Sequence, residues 1–191
     1  MLKYRCLKTN FYERGEYKIV PFQKQNIQTI RVWRNEQIYV LRQNKLLTKD
    51  DQEIYYEKFI RSTYNDKNPK QLLFSLYFKK LFIAYGGLVN ISWENKRAEL
   101  SFLLKTDIAK CNNYKNEFMY FLDVLNNIAF KDLELNKIFS ETYDIRDYHL
   151  SILEESGYNL EGVMNQHIII NNSTVNSLVH AILKKDWLVS E

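Results

Sequence analysis

Apolar and polar positions change period several times along this chain, and each change marks an element. Residues 1–16 are polar and carry no clear period apart from a short arm around Tyr4 to Leu7, so they are expected to form an N-terminal extension that packs on the sheet. Tyr17 to Phe22 alternates, which predicts a first strand, and Pro21 near its end suits a strand terminus or a sheet edge. From Lys24 to Asn35, Ile27, Ile30, Val32 and Trp33 fall on roughly one helical face. A second helical region is read from Glu36 to Gln43. Thr48 then opens another helix: it is a good N-cap, Asp50 and Asp51 favour the positive end of the helix dipole, and Asp51 stands at the capping-box position. Ile54, Tyr55, Phe59 and Ile60 are its expected buried face, and Tyr64 to Pro69 is a loop.

Strands dominate the middle of the chain. Gln71 to Phe78 and Leu81 to Ser92 are apolar runs joined by a tight Lys79-Lys80 turn, and an Asn95-Lys96 turn leads into Arg97 to Leu104. Gly86-Gly87 inside the second run predicts a bulge or a close backbone approach. Asn116 to Leu133 has helical spacing, with apolar residues at 118, 119, 121, 122, 125, 128, 129 and 133. Lys137 to Tyr143 is a further strand, Arg146 to Ser156 a helix stopped by Gly157, and Gly162 to Ile170 the last strand. Val175 to Trp187, with Leu178, Ile182, Leu183 and Trp187 on one side, reads as a terminal helix or helix–strand segment. No repeat, low-complexity tract or linker divides the 191 residues, so 1–191 is expected to be one domain.

Composition narrows the function classes. Lys and Arg (27) exceed Asp and Glu (23), for a net charge of +4, without the dense basic stripe of a nucleic-acid binder. No window approaches the ~20 apolar residues of a membrane span, and Lys3, Arg5, Asn10, Glu13 and Arg14 interrupt any leader-like run, so a cytoplasmic protein is expected. Cys6 and Cys111 are too isolated for a disulfide framework or a metal site. His167 and His180 do not complete a ligand set with them, so no metal is expected.

Three segments carry a family likeness. Ala129 to Ile138 resembles an "AF-x-x-L-x-L-x-K-I" helix exit, Leu153 to Gly162 resembles "LE-x-x-GF-x-x-EG", and Arg31-Val32-Trp33-Arg34-Asn35 resembles a "WRN" helix. In this order and spacing they are similar to the GNAT N-acetyltransferases, in the branch that includes ribosomal-protein and amino-sugar acetyltransferases. The resemblance implies an α/β (α+β) fold, with a mixed, mostly antiparallel central sheet flanked by helices. It also implies acetyl-CoA in a V-shaped opening between Arg97–Leu104 and Lys137–Tyr143. Pantetheine would pair like an extra strand along Leu100 to Leu104, meeting Phe102, Leu103 and Leu104. The pyrophosphate would rest on main-chain amides where the next helix begins, a natural anion site. The family's phosphate loop is glycine-rich, whereas residues 113–118 hold no glycine, and bulkier residues limit backbone approach. Lys110, Lys115 and Asn116 are then the expected phosphate contacts, with Arg146 beside them and Glu117 opposing.

The same resemblance implies the chemistry. Glu99 stands where related enzymes often carry a Glu facing the acceptor, and burial beside Phe102 and Trp93 would fit it to act as general base. The alternative is a strand-surface Glu paired with Arg97 or Lys96. The general-acid tyrosine of many relatives would fall at about Leu153 and is absent. His149, one turn earlier, is the candidate proton donor to the thiolate, with a purely structural histidine as the alternative. Tyr143 and Tyr148 are nearby hydroxyls. Arg31, Trp33, Arg34, Arg42 and Gln43 gather on the early helices, with Trp93 on the strand side, as candidate acceptor contacts. Arginine suits a phosphate and tryptophan a base or sugar, although a tryptophan such as Trp33 is more often a core anchor. The expected function is acetyl transfer from acetyl-CoA to a primary amine, by direct attack in a ternary complex. The favoured acceptor is a nucleotide-linked amino sugar in surface-polysaccharide synthesis. The alternatives are a protein N-terminal amine and a non-catalytic binding module of the same fold. A monomer or homodimer without nucleic-acid or membrane partners is expected.

Overall fold

Lys79 and Lys80, both at positive φ (48° and 68°), turn the chain between β3 (Leu72–Phe78) and β4 (Leu81–Ser92). Two successive positive-φ residues give a turn whose twist matches that of the flanking strands. β4 continues antiparallel into β5 (Arg97–Leu104), with Gly86 opposite Phe102 and Gly87 opposite Ser101. A Cβ on Gly86 would lie 2.1 Å from the Ser101 carbonyl oxygen, and one on Gly87 1.9 Å from that of Leu72. The glycine pair therefore marks close approach of the backbones on both sides. The register shift lies further along, between Val89 and Ser92.

The structure, a computed structural model, describes residues 2–111 and 114–190. Asn113, at the start of the glycine-free window, lies outside the described residues. The remaining strands are β1 (Tyr12–Arg14), β2 (Tyr17–Pro21), β6 (Lys137–Tyr143), β7 (Asn159–Ile170) and β8 (Ser173–Leu183). They join one sheet in the order β1-β2-β3-β4-β5-β6-β8-β7. Every pairing is antiparallel except β5 with β6. The helices are α1 (Ile27–Glu36), α2 (Lys49–Tyr55), α3 (Thr106–Lys110), α4 (Lys115–Asn127), α5 (Asp147–Glu155) and α6 (Lys184–Ser190). No helix of the described residues is long and apolar enough to cross a membrane.

Strand alternation assigns the faces. Tyr85 and Leu103 are paired, as are Val89 and Glu99, so these side chains share a face. That face meets α1, because Arg34 donates to the Tyr85 hydroxyl at 3.3 Å. Phe102 points the other way and stacks on Phe118 of α4, centroids 4.5 Å apart. The N-terminal extension packs as expected. Tyr4 is buried, its hydroxyl donating to the Leu73 carbonyl at 2.7 Å and accepting from the Leu73 amide at 2.9 Å.

Three expected elements differ. The region Glu36 to Gln43 is not a second helix: α1 ends at Glu36, one 3₁₀ turn covers Ile38–Val40, and Leu41 is extended. The Thr48 capping box forms as expected, yet Ile54, Tyr55 and Phe59 are exposed, while Gln52, Tyr56 and Ile60 are buried. The buried residues recur every four positions, one step away from the expected face, and the helix ends in a π turn over Tyr56–Ile60. The terminal segment is strand first and helix afterwards. β8 lies between β6 and β7, with apolar residues on both faces, and such a run cannot be told from a buried helix by period. Asn171 and Asn172 at φ 49° and 64° form the turn before it, a signal that the sequence carries.

Candidate active site

β5 and β6 are paired only at Arg97–Lys137, Ala98–Ile138 and Glu99–Phe139, and then separate. β6 instead follows β8 through to Tyr143. The wedge that opens is a crevice lined by Leu100, Ser101 and Phe102 on one side and by Ser140 to Tyr143 on the other, with Arg42 across it. The Lys105 amide donates to the Ile83 carbonyl at 2.8 Å. By antiparallel alternation, odd-numbered β5 residues bond to β4, and Leu100, Phe102 and Leu104 turn their main-chain groups to the open edge. Leu103 is thus a core residue whose backbone faces β4, not the crevice. The Leu104 carbonyl is taken by the buried side chain of Gln37, whose Nε2 donates at 2.8 Å. Leu100 and Phe102 remain as the edge along which an extended ligand can pair.

A strap over residues 38–47 crosses the outer face of this wedge, and the Trp33-Arg34-Asn35 motif holds it. Trp33 is buried and stacks on Phe82, centroids 4.8 Å apart, so it anchors α1 to the sheet and does not reach an acceptor. Arg34 Nε donates to Gln43 at 3.0 Å. Asn35 clamps Leu47, its Nδ2 donating to the carbonyl at 2.9 Å and its Oδ1 accepting from the amide at 2.8 Å. So fixed, the strap delivers Arg42 to two carboxylates. Its Nη2 pairs with Glu99 Oε1, and its Nη1 with Glu141 Oε2 at 3.3 Å. Glu99 is buried, and its other oxygen accepts from Asn90 Nδ2 at 2.7 Å. The expected apolar pocket for Glu99 does not form, because Phe102 lies on the opposite face and Trp93 donates to the Pro69 carbonyl at 2.9 Å. Trp93 lines a separate hollow with Cys6 and Asp132, away from the wedge. The alternative partners Arg97 and Lys96 do not hold Glu99 either.

The other end of the wedge opens beside the start of α4. Gln37, Tyr39, Thr106, Lys110, Tyr114, Arg146, Tyr148 and His149 line a cavity of about 250 Å³ there. Tyr114 is a wall of this cavity, buried edge-on to Tyr148 with centroids 5.0 Å apart, whereas Phe118 is fully buried in the core and lines neither hollow. Lys110 is exposed at the rim of this cavity. Lys115 is drawn into an ion pair with Glu155, and Asn116 is exposed in the first turn of α4. Glu117 turns away, its Oε1 accepting from the Tyr17 hydroxyl at 3.0 Å, so it does not oppose a phosphate.

Arg146 supplies the test of fit. Burial pulls its guanidinium below the ordinary value, and Tyr114 opposes that shift. Among the described residues no carboxylate pairs with it; its neighbours are Tyr114 and, 3.4 Å away, His149 Nδ1. A desolvated cation facing a cavity beside a helix N-terminus suits a phosphate. The residues present therefore fit acetyl-CoA: the diphosphate against Arg146, Lys110 and the start of α4, and the pantetheine against Leu100 and Phe102.

His149 is buried and stacks on Phe118, centroids 4.3 Å apart, with both hollows reaching its ring. Burial, then Arg146, then His180, holds it well below its ordinary value, so the imidazole is neutral near pH 7. A neutral imidazole is a weak proton donor. The hydroxyls of Ser140, Thr142 and Tyr143 line the same crevice. Arg31 donates to Gln28 within α1 at 3.0 Å and takes no part in the wedge. The residues that sequence reading missed are Gln37, Asn90 and Glu141. Only Glu141 left a signal, as a carboxylate inside a strand whose other residues after Lys137 are apolar or hydroxyl-bearing.

The profile of the acetyltransferase (GNAT) domain matches residues 19–179. Among curated proteins none matches the chain in sequence. Solved structures match its fold. A spermidine N-acetyltransferase from Vibrio cholerae, in complex with CoA and spermine, superposes with TM-score 0.79 at 16% identity, over 92% of this chain and 99% of that one. A dodecameric form of spermidine N-acetyltransferase from the same organism gives 0.76 at 15% identity, over 93% and 99%. At these identities the likeness is one of fold.

Proposed function

Because the chain belongs to the GNAT acetyltransferases, and so is an acetyl-CoA-dependent N-acetyltransferase, we propose that its acceptor is a cationic aliphatic amine of the di- or polyamine kind. The observation that carries this is the Glu99–Arg42–Glu141 bridge. Two carboxylates against one guanidinium leave the outer mouth of the wedge with a surplus negative charge, which a primary ammonium neutralises. Next to it, a groove of about 580 Å³ runs between the strap and the β7–β8 hairpin, where Ile38, Leu41, Ile168 and Ile169 alternate with Arg42, Gln43 and Asn44. Such a mixed wall offers apolar contact to the methylenes and polar groups to the nitrogens of a polyamine.

The nucleotide-sugar reading loses its support on the same residues. It needed Arg34 and Arg42 for phosphates and Trp33 for stacking. Arg42 is committed to carboxylates, Arg34 to Gln43 and Tyr85, and Trp33 to the core.

Acetyl-CoA brings the reactive thioester, from which the thiol leaves. The chain orients it along Leu100 and Phe102, holds an ammonium at the carboxylate pair, removes its proton and excludes water with the strap. The test has two arms. Acetyl-CoA at 100 times its Kd is expected to stabilise the fold by about 2.7 kcal/mol, seen as a raised melting temperature. A panel of diamines, amino-sugar nucleotides and peptide N-termini, followed by thiol release, is expected to rank the diamines first. Turnover confined to sugar nucleotides or peptides would refute the acceptor assignment, and no melting shift at millimolar acetyl-CoA would favour a binding module.

A further inference from the structure

Glu99 and Glu141 differ in what they still have to offer. Both oxygens of Glu99 are engaged, one by Arg42 and one by Asn90. Glu141 gives Oε2 to Arg42, and its Oε1 is buried with no hydrogen-bond donor among the described residues. His167 Nδ1 lies 3.6 Å from that oxygen and is 2.8 Å from the Ser177 hydroxyl. Glu141, not Glu99, lines the crevice, next to Leu100, Phe102 and Tyr143. A buried acceptor atom without a donor is costly unless a ligand supplies one. Position agrees: Glu99 and Phe139 are paired across β5 and β6, and Glu141 lies two residues beyond Phe139 on the same face, into the opening.

We propose that Glu141, with its unpartnered oxygen in the wedge between β5 and β6, is the base that deprotonates the acceptor amine, while Glu99 and Arg42 position it. The inference rests on the N-acetyltransferase reading. Glu141 takes one proton from the ammonium, which frees the nitrogen lone pair. The nitrogen bonds to the thioester carbonyl carbon, and the carbon–sulfur bond breaks with its electron pair on sulfur. The second nitrogen proton goes to sulfur, giving amide and thiol, and Glu141 passes the first to solvent. Glu99 is held by Arg42 and Asn90 and does not line the crevice, so it is the less accessible of the two carboxylates. The charged and titratable groups facing Glu141 are Arg42 from the strap, Glu99 through Arg42, His167 from β7 and Tyr143 on its own strand.

The experiment is steady-state kinetics of the full chain with acetyl-CoA and a diamine across pH. Glu141→Gln is expected to lower kcat about 100-fold, to abolish the acid-side limb of the kcat profile and to keep the acetyl-CoA melting shift. Glu141→Asp, which retains a carboxylate, recovers part of kcat and keeps a limb. Glu99→Gln is expected to act more on the acceptor KM than on kcat and to retain the limb, and His167→Asn retains it too. Wild-type kcat and an unchanged limb in a folded Glu141→Gln enzyme overturn the assignment. So does a limb that disappears in Glu99→Gln or His167→Asn. Should Glu141→Gln not fold, Glu141→Ala decides, and wild-type kcat with an unchanged limb there overturns it. Wild-type enzyme that acetylates no amine at all would instead refute the transferase reading itself, and this inference with it.

Discussion

The side-chain amide of Gln37 donates to the main-chain carbonyl of Leu104 at 2.8 Å, and 3.2 Å away it meets the Thr106 hydroxyl. A glutamine just past the end of α1 thereby closes the upper end of the strand edge that β6 leaves open. Gln37→Leu would strand the buried carbonyl, at a cost of about 1–3 kcal/mol. The expected drop in melting temperature is about 2–4 °C per kcal/mol for a chain of this size, measurable by calorimetry. A change below one degree would mean that water replaces the amide.

Arg42 and Glu99 should prove energetically coupled. The carboxylate is buried while the guanidinium is half exposed, so the larger penalty falls on a lone Glu99. In a double-mutant cycle, Arg42→Gln combined with Glu99→Gln is expected to destabilise less than the sum of the two single substitutions, with a coupling of about 0.5–3 kcal/mol. Strictly additive melting data would show that the bridge contributes nothing to stability.

His149 imposes a pH dependence of known sign. Its folded-state value lies below the unfolded one, chiefly through burial, so the unfolded chain takes up a proton first as pH falls. Stability contributed by the neutral imidazole is complete above about pH 6.5 and declines below it, by up to about 1.4 kcal/mol per pH unit. Denaturant midpoints measured from pH 7.5 to 5.5 should fall in the wild type and fall less in His149→Gln. Parallel curves would argue against a buried neutral histidine.

Gly86→Ala should be poorly tolerated, because the new methyl meets the Ser101 main-chain oxygen at 2.1 Å. The β4–β5 ladder must move apart, and with it the β5 edge of the wedge. Loss of soluble, cooperatively melting protein is the expected outcome. Gly162→Ala, where the added carbon meets nothing within 4 Å, is the matched control. Equal melting temperatures for the two variants would contradict the packing described.

Local pattern made much of this fold readable. The β3–β4–β5 run, the α4 face and the α5 stop at Gly157 are each fixed by neighbours a few residues apart, through turn conformation, helical spacing and a left-handed C′ residue. β8 was not readable, because an apolar run flanked by strands on both sides loses the alternation that distinguishes strand from helix. The site divided in the same way. Arg42, Phe102, Arg146 and His149 line the wedge and Lys110 its neighbouring cavity, whereas Trp33, Trp93 and Arg31 are held elsewhere by Phe82, Pro69 and Gln28.

The β3–β4–β5 run, the α4 and α5 patterns and the family they build are legible in the residues alone, since they follow from short-range periodicity and turn chemistry. Contacts made across the fold distinguish the two carboxylates. Arg42 and Asn90, brought from a strap and a neighbouring strand, each engage an oxygen of Glu99, whereas Glu141 keeps one buried oxygen with no donor among the described residues.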